Sequence, residues 1–171
     1  SVTLHVGEGT FNPVTAEELL TSVAYAEPPV ELSDDALLLI GDARAARERY
    51  DEAAEAYLAA LERFPDSDIH ARISFRTAEN FATMGRPEEA ATHFARVPEE
   101  TGSRTLAFEA RLRLSEVLLG AGRPEEALDV ALDLEERTLD RDELDRVQIQ
   151  QGLALEALGE HDRAIQTYEE I

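Results

Sequence analysis

The chain has 171 residues and 43% apolar side chains, enough to bury a core, so its charge does not imply disorder. Net charge is −21, from 37 acidic and 16 basic residues, and every basic residue is an arginine. That balance excludes nucleic acid and anionic membrane surfaces as natural partners, because no basic stripe exists to displace counterions. The absence of cysteine excludes disulfide and thiol chemistry.

Aromatic residues are sparse at 6% and tryptophan is absent, which suits Ala/Leu-rich helix packing better than a β-sandwich. No run of 18 apolar residues occurs, so no helix is expected to span a membrane. Three origins of the acidity stay open: a coding bias toward Arg and Ala, adaptation to high salt, or attraction of a basic partner. The chain opens at Ser1 without Met and stops at Ile171 inside a helical pattern, which reads as a piece of a longer protein.

Taken in order, Val2, Leu4 and Val6 alternate and predict a short extended segment, broken by Gly7, Gly9, Asn12 and Pro13. Thr15-Ala16-Glu17-Glu18 reads as a capping box opening a helix over 15–26, with Leu19, Leu20, Val23 and Ala24 on one face and Pro28-Pro29 beyond it. Residues 1–33 are thus an irregular N-terminal segment with one capping helix. Asn12-Pro13 and Ala16 precede Arg86-Pro87 and Ala90 by 74 residues, which suggests the second half of a degenerate leading unit.

From residue 34 a different order sets in. Leu37, Ile40 and Gly41 recur at helical spacing. After a break at Glu48-Arg49, the residues Ala53, Tyr57, Ala60 and Leu61 form the face of a second helix. Phe64-Pro65-Asp66-Ser67 ends it, with Ser67 placed to cap the next. The hexapeptide starting at Gly85 (Gly-Arg-Pro-Glu-Glu-Ala) then recurs unchanged at Gly122, 37 residues on, and 37 more leads to Gly159. A fixed stride of this size marks stacked helix-turn-helix units, here starting at 34, 71, 108 and 145, with the last truncated. Each glycine falls where a helix must end, Pro87 and Pro124 suit the first position of the next helix, and the glutamates that follow suit its positive end. Gly41, Ala78, Ser115 and Gly152 form one small-residue set, and Ala53, Ala90, Ala127 and Ala164 another. Between them they allow close approach of paired helices. Tyr57, Phe94 and Tyr168 fill space one turn later, with Ala131 the exception.

These residues resemble the tetratricopeptide repeat family across 34–171, in about four units. The small residue at unit position 8, the turn glycine at 15, the alanine at 20 and the aromatic at 24 match. Position 4 departs (Leu37, Ser74, Arg111, Gln148), as do Arg44 at position 11 and Glu48 at position 15. The family's usual period is about 34, so three extra residues are expected to lengthen the first helices of units 2–4. The resemblance implies an all-α, right-handed superhelical solenoid of antiparallel helix pairs whose first helices line a concave groove. The spacing and the Arg63-Phe64-Pro65-Asp66-Ser67 segment also look like bacterial cell-envelope members, leaving periplasm, envelope or cytoplasm open.

Little in the sequence suggests catalysis, a cofactor or a metal. Gly7-x-Gly9 lacks the rest of a dinucleotide fingerprint, and there is no His-Glu-x-x-His. His5, His70, His93 and His161 do not share a helix face at ligand spacing. Acidic neighbours such as Glu88/Glu89 and Glu135/Glu136 point different ways on a helix, and Ser74 and Ser115 read as packing residues.

By the resemblance, unit positions 2, 5, 9 and 12 face the groove. Position 5 is apolar throughout: Leu38, Phe75, Leu112 and Ile149. Position 9 is Asp42, Glu79, Glu116 and then Leu153, and position 2 alternates in sign as Asp35, Arg72, Glu109 and Arg146. Two expectations compete. In one, position 5 packs between units and the acids are merely solvated. In the other, an apolar stripe flanked by carboxylates binds a peptide or protein segment that is apolar with basic residues. The groove lacks the Lys and Asn set that the family's carboxylate-clamp branch uses. An alternative function is a structural or oligomerisation segment of a longer envelope assembly protein, self-associating through its last unit.

Overall fold

A computed structural model describes residues 13–26, 33–138 and 140–171, so the predicted extended segment, Gly7-x-Gly9 and Pro28-Pro29 lie outside the described residues. Among the described residues the chain is all helical: α1 Pro13–Ala24, α2 Ser33–Ala45, α3 Tyr50–Arg63, α4 His70–Thr83, α5 Pro87–Glu100, α6 Arg104–Gly120, α7 Pro124–Arg137, α8 Arg141–Ala157 and α9 His161–Glu169. Each helix packs antiparallel to the next in the chain, so the core is a series of overlapping clusters. The all-α solenoid read from the stride is the fold observed.

The second helices begin at Tyr50, Pro87, Pro124 and His161, 37 residues apart, and α1 begins one step earlier at Pro13. Helix α1 therefore starts two residues before Thr15, and the expected cap there gives way to Pro13, whose missing N–H costs nothing in a first turn. Glu17 of α1 gathers Arg44 at 3.0 Å, Arg47 at 3.2 Å and Arg49 at 3.6 Å. Arg44 thus replaces the aromatic of position 11 because its task is ionic.

Each helix pair turns through the same local geometry. Gly85, Gly122 and Gly159 adopt φ of 70°, 73° and 78°, and Glu48 takes 61° at the equivalent place. The N–H that follows reaches back to close a six-residue turn: Arg86 to Phe81 at 2.9 Å, Arg123 to Leu118 at 2.9 Å, Glu160 to Leu155 at 2.9 Å and Arg49 to Arg44 at 3.0 Å. An arginine–glutamate pair then bridges each helix start: Arg49–Glu52, Arg86–Glu89 and Arg123–Glu126, with the charges swapped in Glu160–Arg163.

The three extra residues are not distributed as expected. Helices α6 and α8 have 17 residues, but α4 has 14 and α2 has 13. In unit 2 the surplus lies in the connection 64–69 instead, because Pro65 stops α3 and two successive turns follow. Ser67 does not cap α4. Its Oγ accepts from Ile69 N at 3.1 Å, before the helix starts, and donates to Asp34 Oδ2 at 2.5 Å. Ser103 and Asp140 do cap their helices: Ser103 accepts from Leu106 N at 3.3 Å, and Asp140 from Asp142 N at 3.0 Å.

Inside each unit, the small residue of the first helix faces the large one of the second. A Cβ on Gly41 would lie 2.2 Å from Tyr57 Cε1, and one on Gly152 the same 2.2 Å from Tyr168 Cε1. Ala78 and Phe94 are both fully buried in unit 2. In unit 3 the large residue is replaced by Ala131, itself fully buried, and Ser115 Oγ donates to the Ala127 carbonyl at 2.8 Å. Ala53, Ala90, Ala127 and Ala164 are at most 1% exposed, so every crossing is closed by the same methyl.

Candidate protein-binding faces

Successive first helices approach one another backbone to backbone, α2 to α4, α4 to α6 and α6 to α8, whereas among the described residues the backbones of successive second helices stay apart. The first helices therefore line the inner side of the curve and the second helices fan out along the outer side.

The inner face holds the residues singled out from the sequence, but not as one open stripe. Leu38 and Leu112 are 4% and 2% exposed and belong to the core, Leu38 in a cluster with Ala24 of α1 and Leu112 in one with Val147 of α8. Phe75 is half-buried, its ring edge-on to Phe94 at 5.4 Å. Ile149 is 43% exposed, with Leu153 one turn away at 38%. For Leu38 and Leu112, packing between units is the arrangement found, and the apolar surface open to a partner is Phe75, Ile149 and Leu153.

The acids of position 9 are already engaged. Asp42 accepts from Tyr57 Oη at 2.7 Å and faces Arg76 at 3.5 Å, while Arg76 donates to Glu79 at 2.9 Å. Glu116 accepts from Arg113 at 2.7 Å. Burial first, and then the hydrogen bond to Asp42, push the Tyr57 phenol well above its ordinary value, so it stays a donor. Asp42, Tyr57, Arg76, Glu79 and Asn80 line a cleft of about 370 Å³ between units 1 and 2.

Position 2 alternates in sign because its members pair with each other. Arg72 donates to Asp35 at 3.3 Å, and Arg146 grips Glu109 at 2.6 and 2.9 Å, each pair 37 residues apart. The Arg146 hydrogen bond holds the Glu109 carboxyl below the ordinary range. Overall, the first helices carry ten acidic residues against eight arginines and the second helices sixteen against four, so the excess negative charge sits on the outer side.

Among the described residues no group of three His, Asp or Glu side chains could hold a metal ion. No described helix is long and apolar enough to cross a membrane. What fold and surface define is a solenoid of paired helices with two long faces. Tetratricopeptide repeat models match residues 33–97, 75–142 and 146–171, and the chain belongs to that family. Among solved structures it is similar to MamA, with 16% identity, a TM-score of 0.72 and coverage of 92% of this chain and 85% of that one. It is similar, too, to a Podosopora anserina putative kinesin light chain with nearly identical TPR-like repeats, at 16% identity, a TM-score of 0.74 and coverage of 92% and 84%. BtubC (BKLC) from P. vanneervenii aligns at 18% identity with a TM-score of 0.74, over 92% of this chain and 69% of that one. These likenesses concern the fold. No curated protein matches the sequence significantly.

Proposed function

We propose that this chain is a non-catalytic protein-interaction scaffold that binds a segment of another protein along its inner face. Family membership supports the scaffold role. The observation that carries the inner-face reading is the exposure of Ile149 and Leu153 on α8, together with half-buried Phe75 two units away on α4, on helices otherwise built to pack. Apolar side chains of the partner are buried at Phe75 and, two units on, at Ile149 and Leu153. Basic side chains of the partner meet Asp42, Glu79 and Glu116, exchanging with Arg76 and Arg113, so these acids govern approach more than final affinity.

The test is kinetic. With a partner recovered on the intact chain, reversing Asp42, Glu79 and Glu116 to Lys slows association and flattens its salt dependence, while Ile149→Asp speeds dissociation. Asp42→Asn keeps an acceptor for Tyr57 and separates charge from folding. An unchanged rate and salt response in the triple variant rules the inner face out. Ile165 of α9, 57% exposed, favours a second reading in which that helix associates with another copy. A sedimentation coefficient that rises with concentration, and no longer does so in Ile165→Asp, would support it.

A further inference from the structure

The outer side is a row of furrows. Because the backbones of the second helices stay apart, each neighbouring pair leaves a furrow floored by the first helix between them. The furrow between α5 and α7 opens into a cleft of about 400 Å³, floored by Ala91, Leu114, Leu118 and Val130, with Ala95 on its wall. Its openness follows from size and polarity at matched positions. Ala95 stands where the neighbouring units carry Leu58 and Leu132. Val130 stands where unit 2 has His93, and Leu118 where it has Phe81. In the α3/α5 furrow those two rings stack at 5.7 Å, and the Arg86 guanidinium lies 4.6 Å over Phe81, filling the space. Leu114 replaces Thr77 and Gln151, and Gln151 is turned to Glu135 at 2.8 Å. One furrow in the row is thus both emptied and made apolar, by residues that fold together only through the repeat register.

Charge identifies the occupant. At the mouth, Arg123 is held by Glu126 through two bonds of 2.6 Å, whereas among the described residues Glu88 and Asp129 form no salt bridge, Glu88 being attracted to Arg123 only at longer range. The second helices add sixteen carboxylates against four arginines. The chain's own N-terminal stretch answers this field poorly, since no lysine or arginine precedes Arg44, and a second copy brings a further −21. We infer that the α5/α7 furrow is a docking site, separate from the inner face, for a segment of a different protein that sets one large apolar side chain between arginines or lysines. The apolar side chain fills the space over Leu114 and Val130 left by Ala95, and the basic ones pair with Glu88 and Asp129.

A phage library of random octapeptides, selected on the immobilised intact chain, tests this. Enriched peptides are expected to carry Leu, Phe or Trp flanked by Arg or Lys. They should bind about tenfold or more weakly to Ala95→Leu, which restores the side chain of the neighbouring units at an exposed position. Glu88→Gln with Asp129→Asn should weaken them about threefold and flatten the salt dependence. Thermal melts establish that each variant is folded. Enriched peptides that bind Ala95→Leu as well as the parent overturn the inference. So do peptides that lose binding on Ile149→Ala instead, which belong to the inner face, and so does a selection yielding no basic-apolar sequences.

Discussion

The first and third units solve the same packing problem in opposite ways. In the first, Gly41 gives up its side chain so that Tyr57 can lie across the backbone, and the ring's hydroxyl emerges to meet Asp42. In the third, the second helix offers only Ala131, and the first helix supplies Ser115, whose hydroxyl is satisfied by the Ala127 carbonyl. The repeat therefore keeps both crossings buried with different side chains at the same positions. Volume removed from one partner is returned by the other, or is left small on both sides and closed by a hydrogen bond.

The largest expected effect comes from breaking what the two units share. Ala127→Arg or Ala90→Arg overpacks a closed crossing and buries a charge, and should lower unfolding free energy in urea by about 3 kcal/mol or more. Gly41→Ala attacks only the first solution. Its new methyl meets the Tyr57 ring, for a cost of about 2 kcal/mol, and the double variant with Tyr57→Ala should lose less than the sum of the two single losses. Ser115→Ala, in the third unit, should cost only about 1 kcal/mol, the worth of its hydrogen bond. Equal losses for Gly41→Ala and Ser115→Ala would erase the distinction.

Two smaller effects sharpen it. The turn of unit 1 holds Glu48 in the conformation that unit 3 gives to Gly122, so Glu48→Gly should raise stability by about 0.5–1 kcal/mol in the same urea titration. The rung between units 3 and 4 is acid-labile. Because Glu109 has a depressed carboxyl, held down by its hydrogen bond from Arg146, its contribution is complete above the ordinary carboxylate range and is lost as pH falls through the lowered folded value. Thermal melts between pH 6 and 3 should show a shallower decline for Glu109→Gln than for the parent.

Most of the fold was legible because turns and crossings depend on local residue types. A left-handed turn wants glycine, a helix start accepts proline, and a close crossing needs alanine, and these recur at one stride. What escaped depends on neighbours. Leu38, Leu112 and Ile149 share a register position, yet Leu38 joins the cluster of α1, Leu112 meets Val147, and Ile149 stays exposed. Arg44 looked like a defect until Glu17, 27 residues earlier, was placed beside it. The surplus residues of unit 2 went into a connection because Pro65 and Ser67 act there, while Gly102 and Ser103 allow α6 to begin early. Acidic residues were visible on both helices of each unit, but their division into a nearly balanced inner side and a strongly negative outer side required the topology.

The rungs along the inner face have a mechanical consequence. Asp35–Arg72 and Asp42–Arg76 fasten unit 1 to unit 2, and Glu109–Arg146 and Arg104–Glu143 fasten unit 3 to unit 4. Among the described residues no close arginine–carboxylate salt bridge spans units 2 and 3, where Glu88 attracts Arg123 only at longer range and the joint is held by oily contact such as Ala110 against the unit 2 core. Oily contact resists separation but has little directional preference, whereas a two-pronged guanidinium grip resists rotation. The units are thus joined in two ways, by exposed ion pairs added to packing at the two outer joints and by packing alone at the middle one, where α5 lies most closely against α6.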